Sequence, residues 1–200
     1  GQGQLLLDLA WYGFNDPIGA DKFIKDGLVY DSNVRVYKKD LAQMDGKFDV
    51  IMLHHSFEHM PEPDAVMPEI KRLLNENGTV LVRMPIIGTY AWNNYRQNWV
   101  ALDAPRHLII YTMKAFEILC TRHGFKITRK IFDSSEFQFI GSEQYMRNIP
   151  IYNDSRSYYV NAKNSIFTKS DVRSFKKKTK KLNTEQNGDS VCLYLSKIRE

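Results

Sequence analysis

The sequence predicts an α/β fold with a mostly parallel, doubly wound sheet. Strand-like and helical segments alternate along most of the chain, which is typical of a parallel sheet with helices on both faces. Residues 50–53 form a short, continuous apolar run, as expected for a strand that is buried on both faces. With 200 residues, 43% of them hydrophobic, the chain can bury one core, and we expect a single domain over residues 1–200.

Periodicity and capping residues place the elements. We expect helices at residues 5–12, 65–75, 113–123 and 171–182, and strands at residues 18–20, 34–39, 50–53, 79–84, 125–132 and 190–198. Asp64 and Thr112 are the predicted N-caps of the second and third helices, and Thr168 or Ser170 of the fourth. Asn77-Gly78 predicts a turn. Residues 86–108 and an aromatic insertion at residues 141–165 lack a regular period, which is common in lids and binding loops.

Composition and charge argue against a nucleic-acid-binding, a membrane-spanning or a secreted protein. The net charge of +5 is concentrated in a run of lysines within the predicted helix 171–182, which favours a solvated helix face over a nucleic-acid-binding surface. No apolar run approaches the roughly 20 residues needed to cross a bilayer, and no secretory signal opens the chain. Cys120 and Cys192 form no Cys-x-x-Cys pair, so we expect buried free thiols and a cytoplasmic location.

A short glycine motif begins the chain. Gly1 and Gly3 precede the first helix, where free backbone N–H groups can hold a polar or anionic ligand. Asp21 follows at roughly the 20-residue spacing at which an acidic residue accepts ribose hydroxyls in nucleotide-binding folds. Asp40 ends the next strand in the same way. Either acid could instead be an ordinary helix cap or turn residue.

Titratable residues follow the apolar run directly. His54, His55, Glu58 and His59 lie at its carboxyl end, the edge where open α/β sheets bind ligands. A further histidine, His107, follows a Pro-Arg pair and is a candidate general base. The alternative interpretations are a polar loop for the first group and a structural histidine for the second.

Taken in order, these motifs resemble the class I S-adenosylmethionine-dependent methyltransferases, in particular those acting on small molecules and encoded in glycan clusters. The resemblance implies a Rossmann-like sheet of seven strands with an antiparallel last strand. It places Gly1 and Gly3 beside the methionine moiety of S-adenosylmethionine, Asp21 at the ribose, Asp40 and Leu41 at the adenine, and Leu53 and His54 along the cofactor. Glu58-His59, Trp99, Pro105 to His107, and Gly124-Phe125 match further motifs of the same group.

Two features depart from the family pattern. The strand that precedes the glycine loop is missing, so we expect the native chain to be longer at its N-terminus. Ubiquinone-pathway O-methyltransferases carry Glu-x-x-Glu-His after the fourth strand, and some bind a divalent ion there. In this chain His55 occupies the first position, and we expect no metal at His55, Glu58 and His59.

The predicted function is therefore transfer of a methyl group from S-adenosylmethionine to a small-molecule or sugar acceptor, at a hydroxyl oxygen. His107 is the first candidate for the base, followed by His59 and His55. The alternatives are a catalytically silent binding module and an NAD-linked oxidoreductase. The oxidoreductase fingerprint needs a third glycine, and Leu6 stands at that position. The sequence does not indicate an oligomeric state.

Overall fold

The computed structural model describes residues 1–31 and 33–199, which form α-helices and two β-sheets. The helices are α1 (Gln4–Trp11), α2 (Pro63–Leu73), α3 (Tyr90–Tyr95), α4 (Met113–Arg122), α5 (Phe137–Tyr145) and α6 (Lys169–Thr184). The strands are β1 (Ile18–Ala20), β2 (Leu28–Val29), β3 (Arg35–Tyr37), β4 (Phe48–His54), β5 (Leu74–Pro85), β6 (Phe125–Phe132) and β7 (Ser190–Lys197).

The smaller sheet has the strand order β1-β3-β2. β1 and β3 are parallel, with Ile18 opposite Arg35, and β2 is antiparallel to β3. β2 was not predicted because its two residues are too few to show a period. Helix α1 precedes this sheet and ends before Gly13, whose φ of 87° is the left-handed conformation that glycine favours at a helix C-terminus.

The larger sheet has the strand order β4-β5-β7-β6. β4 and β5 are parallel, whereas β7 lies between β5 and β6 and is antiparallel to both. This arrangement confirms the antiparallel last strand and the mixed, mostly parallel α/β fold. In the described residues the strands form two sheets, with β1 and β4 each at a sheet edge.

One face of the larger sheet forms the main core. Val80, Val82 and Met84 of β5 lie opposite Leu195, Leu193 and Val191 of β7, and all six are fully buried. Buried residues of α2 and α4, including Ile70 and Phe116, complete this cluster. The expectation that residues 50–53 are buried on both faces is wrong for Val50, which is 50% exposed. Leu53 points into the core, while Val50 lies on the opposite face of an edge strand.

Two predicted boundaries are corrected by the structure. Asp64 does not cap α2, because the helix begins at Pro63 and Asp64 lies in its first turn, where it bonds to Arg122 and His123. The predicted turn at Asn77-Gly78 lies within β5, which starts at Leu74 and is irregular in its pairing with β4. Glycine is required here, because a Cβ on Gly78 would lie 2.7 Å from Leu74 Cδ1.

The cap predictions for the other helices hold. Thr112 accepts a hydrogen bond from the backbone N–H of Ala115. Of the two candidates for α6, Thr168 is the N-cap, and it forms a capping box with Asp171. Cys120 and Cys192 are free and buried, as expected.

The segments without a regular period contain short helices that form a second core. α3 lies within residues 86–108, and α5 overlaps the predicted aromatic insertion. Ala91, Trp99, Phe139 and Leu182 form the buried cluster between α3, α5 and α6. Helices α3 and α5 mix apolar and polar residues irregularly, so their sequences show no helical period. Within residues 1–31 and 33–199, none of the helices combines the length and apolarity needed to span a bilayer.

Candidate functional site

Polar residues follow the ends of the parallel strands in both sheets. Asp21 comes directly after β1, Asp40 follows β3 after two residues, and His54 is the last residue of β4. The carboxyl ends of parallel strands meet at one edge of a sheet, which is where open α/β folds bind their ligands. Asp21 and Asp40 therefore lie at the carboxyl ends of two parallel strands of the smaller sheet, and His54 lies at the carboxyl end of β4 in the larger sheet.

The glycine motif packs closely against the smaller sheet. Gly3 has a φ of 84°, and a Cβ there would lie 2.8 Å from Val36 Cγ2 of β3. Its carbonyl accepts hydrogen bonds from the N–H groups of Leu6 and Leu7 and so starts α1. Only glycine combines this backbone conformation with this close approach. The arrangement leaves a cradle of backbone at the N-terminus of α1 that fits a small polar ligand.

Asp21 lies beside the glycine motif. Its Oδ1 accepts a hydrogen bond of 2.8 Å from the backbone N–H of Phe23. An ionised carboxylate at the end of β1 can accept hydrogen bonds from two hydroxyl groups of a ribose.

Asp40 already has contacts with both carboxylate oxygens. Oδ1 accepts from the backbone N–H of Leu41 at 2.6 Å, and Oδ2 accepts from Lys22 Nζ at 3.1 Å. The side chain also forms a capping box with Gln43. The hydrogen bond from Lys22 lowers the pKa of Asp40, with burial opposing it. Asp40 therefore shapes the turn after β3, while Leu41 packs against the main core.

Leu53 and His54 differ in exposure at the end of β4. The Leu53 side chain is buried in the main core, so only its backbone is available to a ligand. His54 points to the opposite face and is exposed. Burial of its ring lowers the pKa of His54, and the nearby charge of Arg83 acts in the same direction.

The backbone of Glu58 brings two distant segments together. Glu58 lies in a 3₁₀ turn (Phe57–His59) just after β4. Its carbonyl oxygen accepts hydrogen bonds from the N–H groups of Leu108, at 2.8 Å, and Ile109, at 3.2 Å. His107 therefore lies beside Glu58 and His59 although about 50 positions separate them in sequence. Sequence analysis named both histidines but could not show that they are neighbours.

The resulting cluster contains two imidazole rings and a buried carboxylate. The ring centroids of His59 and His107 are 4.8 Å apart. Glu58 is 0% exposed, and its Oε1 lies 3.9 Å from His107 Nε2 and 3.4 Å from His55 Nδ1. Asp103 Oδ2 lies 3.8 Å from the same His107 nitrogen. The three histidines predicted to be catalytic thus all lie around Glu58.

Two residues at this cluster have strained backbones. His55 has a φ of 47° and Asp103 a φ of 41°, values that are uncommon for residues other than glycine. His55 is held by a hydrogen bond from its N–H to the carbonyl of Arg83, and Asp103 by contacts with Arg106. Strain of this kind persists where the surrounding structure determines it and often marks a functional site.

An open groove of about 370 Å³ lies at the C-terminal end of α5. It is lined by Asn98, Tyr145, Asn148, Ile149 and Pro150. Tyr145 is close to Asp103 and Arg106: burial raises the pKa of its hydroxyl, the negative charge of Asp103 adds to this, and Arg106 opposes it. A polar, aromatic groove of this size is suitable for binding a small organic molecule.

Sequence reasoning missed the importance of Glu58, Asp103 and Asp189. Glu58 was named among the titratable residues after the apolar run, but its complete burial has no signal in the sequence. Asp189 was not singled out, yet it is 6% exposed and accepts a hydrogen bond from Trp99 Nε1. Its position directly before a strand was the only available indication of burial.

Comparisons with known proteins identify the family and the fold of the chain. The profile of a family described as "Methyltransferase domain" matches residues 1–130. A search of curated protein sequences finds no significant match. A solved structure of a SAM-dependent methyltransferase from Archaeoglobus fulgidus is similar, with a TM-score of 0.56 and 16% identity over 98% of this chain and 82% of that protein.

Two further structures share the fold. The [4+2]-cyclase SpnF has a TM-score of 0.56 and 17% identity, and the match covers 100% of this chain and 73% of SpnF. The mycolic acid cyclopropane synthase CmaA1, solved with SAH and CTAB, has a TM-score of 0.56 and 13% identity, covering 98% of this chain and 74% of CmaA1. The chain spans about half the length of several O-methyltransferase structures that it also matches.

At these identities the structural matches show the fold, whereas the family profile covers well over half of the sequence. The chain belongs to the methyltransferase-domain family of enzymes, and it has the Rossmann-like fold of the class I S-adenosylmethionine-dependent methyltransferases.

Proposed function

We propose that this protein transfers a methyl group from S-adenosylmethionine to a hydroxyl oxygen of a small-molecule or sugar acceptor. The observation that supports this most directly is the convergence of His55, His59 and His107 on Glu58, at the carboxyl end of β4. Methyl transfer to oxygen requires removal of a proton, and no such group is needed when the acceptor is already an anion or a thioether.

The residues at the ends of β1 and β3 are the proposed cofactor site. Gly1 and Gly3 bind the methionine moiety through their backbone, and Asp21 accepts hydrogen bonds from the ribose hydroxyls. Asp40 and Leu41 border the adenine, and because Lys22 occupies one Asp40 oxygen, this contact requires Lys22 to move or the backbone of Leu41 to serve instead. His54 and the backbone of Leu53 line the remaining side.

When bound, S-adenosylmethionine supplies a methyl group activated by a positively charged sulfur. The chain has to align the acceptor oxygen opposite the carbon–sulfur bond and keep water out. In the proposed reaction the oxygen–carbon bond forms as the carbon–sulfur bond breaks, which leaves a neutral thioether. The hydroxyl proton leaves through the histidine cluster, with His107 as the first proposed acceptor. Its Nδ1 is bonded to the carbonyl of Ala101, so its Nε2 can take the proton.

Acceptor binding is proposed for the groove beside Asp103 and Arg106. Tyr145 and Asn98 offer an aromatic face and hydrogen-bonding groups, respectively. An aromatic ring of this kind can stack against a sugar or a planar ring, while the amide fixes its orientation. This groove therefore supports a neutral organic acceptor of the size of a monosaccharide or a phenol.

The experiment is calorimetry followed by an activity screen. S-adenosylmethionine and S-adenosylhomocysteine should each bind with saturable heat, and labelled methyl groups should transfer to at least one member of a panel of nucleotide-sugars and phenols. Saturable binding without transfer to any nucleophile in a broader panel of amines and thiols would support a silent binding module. Absence of binding to either compound would contradict the proposal.

A further inference from the structure

The carboxylate of Glu58 is buried and has no hydrogen-bond partner in residues 1–31 and 33–199. It is 0% exposed, and among the described residues neither of its oxygens accepts a hydrogen bond. Its closest ionic neighbours are histidine nitrogens at 3.4 Å and 3.9 Å, beyond good hydrogen-bonding distance. A buried carboxylate left unpaired is costly, so its retention in a folded protein calls for a positively charged group.

Two imidazole rings beside Glu58 are each fixed through one ring nitrogen by a backbone carbonyl. His59 Nδ1 lies 2.7 Å from the carbonyl oxygen of Arg106, and His107 Nδ1 lies 2.8 Å from that of Ala101. A carbonyl oxygen can only accept, so each Nδ1 carries the hydrogen and a neutral ring has its lone pair on Nε2. Histidines that bind metal ions show this same hydrogen bond from the opposite ring nitrogen to a carbonyl or carboxylate.

We propose that Glu58, His59 and His107 bind one divalent transition-metal cation. One potential ligand atom from each residue lies within 4.8 Å of the other two, close enough to close around an ion through small side-chain rotations. Two imidazoles and one carboxylate suit Zn²⁺, Mn²⁺, Fe²⁺ or Co²⁺ better than Mg²⁺ or Ca²⁺, which prefer oxygen ligands. Three protein ligands leave further coordination positions open.

No metal was expected at His55, Glu58 and His59, because three residues spaced along a loop need not share one geometry. The ligand that completes the set is His107, which the hydrogen bonds from Leu108 and Ile109 to the carbonyl of Glu58 bring into place. Half-buried His59 and the 10% exposure of the His107 side chain leave an entry path while excluding most solvent.

The contact between His123 and Asp64 differs from the cluster around Glu58. His123 Nε2 lies 2.7 Å from Asp64 Oδ1, and Arg122 contacts the same oxygen at 3.0 Å. That carboxylate is exposed and already paired with a cation. Glu58 has neither property, so the proposed site is not a general consequence of a histidine lying near an acid.

A cation at this site would change how the acceptor hydroxyl loses its proton in the proposed reaction, so this part of the inference rests on the proposed function. In the ion-free protein the Nε2 lone pair of His107 is available to take a proton. With an ion bound, the same lone pair is a ligand, and the ion lowers the pKa of an approaching acceptor hydroxyl so that its proton passes to solvent. The binding site itself does not depend on the proposed methyl transfer, because ion binding can be measured without cofactor or acceptor.

The test is metal titration of chelator-treated protein. Mn²⁺ binding is followed by electron paramagnetic resonance, and Co²⁺ binding by visible absorption, which reports nitrogen and oxygen ligation. We expect one ion per chain, and binding that is at least ~10-fold weaker in Glu58→Gln, His59→Asn and His107→Asn. His123→Asn, which removes a histidine outside the cluster, should bind as the wild type does.

The outcomes separate this proposal from the proposed function. Saturable one-to-one binding that is lost in the cluster variants supports the site, provided that circular dichroism shows them folded. No saturable binding, or equal binding by the wild type and the His59→Asn/His107→Asn double variant, overturns it. Calorimetry with S-adenosylhomocysteine on the same samples tests the cofactor site independently, so either proposal can fail alone.

Discussion

The indole Nε1 of Trp99 donates a hydrogen bond of 2.8 Å to Asp189 Oδ2, and both residues are buried. This bond joins the segment between β5 and α4 to the residue that precedes β7, 90 positions further along the chain. The backbone of Asp189 also accepts from the N–H of Ile86. The contact therefore fixes the start of the segment that later delivers Asp103 and His107 to the candidate site.

We expect Trp99→Phe to lower the free energy of unfolding by about 2–4 kcal/mol. Phenylalanine removes the indole donor from the buried carboxylate of Asp189 and leaves a small cavity, and each effect is destabilising. Trp92→Phe is the matched control, because Trp92 packs edge-to-face against Trp99 and is only partly buried. Urea unfolding of the three proteins measures the difference, and equal losses for both variants would show that the hydrogen bond does not matter.

Asp21→Asn should weaken binding of S-adenosylmethionine by roughly 10-fold to 100-fold. The substitution removes the negative charge that strengthens hydrogen bonds to the ribose hydroxyls, an effect of about 1.5–3 kcal/mol. Asp8→Asn is the control, since Asp8 is an exposed residue of α1 that accepts a hydrogen bond from Gln4. Calorimetry gives both affinities. Unchanged affinity in Asp21→Asn would remove this residue from the cofactor site.

His107→Asn should lower the turnover number by about 10²-fold to 10⁴-fold while leaving the affinity for S-adenosylmethionine nearly unchanged. Asparagine can keep the hydrogen bond to the carbonyl of Ala101 but lacks the second ring nitrogen. His123→Asn should retain full activity. Steady-state kinetics with an identified acceptor provides the measurement, and a His107→Asn enzyme with normal turnover would exclude any chemical role for this side chain.

The stability of the protein should respond to pH through Asp189 and Asp154 in opposite directions. Burial raises the pKa of Asp189 despite hydrogen bonds from Trp99 and Ser134, so the folded state holds this proton more tightly than the unfolded state. The contribution of Asp189 to stability therefore falls as pH rises through its folded-state pKa. Hydrogen bonds from Arg156 lower the pKa of Asp154 to about 2, and its contribution is lost as pH falls below the unfolded-state value.

The measurement is unfolding by urea between pH 3 and pH 7 for the wild type, Asp189→Asn and Asp154→Asn. The free energy of unfolding of Asp189→Asn should increase relative to that of the wild type as pH rises. The free energy of unfolding of Asp154→Asn should decrease relative to that of the wild type over the same range. A stability difference that is independent of pH for Asp189→Asn would mean that this carboxyl titrates alike in the folded and unfolded chains.

Regular elements were predictable because their signals are local. The capping residues Thr112 and Thr168, the strand 125–132 and the acid after β1 all follow from spacing and residue type within a few positions. Helices α3 and α5 were not recognised, because they are packed into a second core by contacts with α6 that no local period reveals. The half-exposure of Val50 was equally hidden, since it depends on β4 lying at a sheet edge.

The sequence by itself determined the fold class and the residue types at the ends of the strands, which depend on periodicity, caps and the order of motifs. The antiparallel last strand was expected only from the resemblance to the class I methyltransferases. Only the tertiary structure decided that His107 lies beside His59 and that Glu58 is buried between them without a hydrogen-bond partner in the described residues. Two backbone hydrogen bonds to the carbonyl of Glu58 produce that proximity. Contacts between segments so distant in sequence arise from packing of the whole chain, which local patterns do not encode.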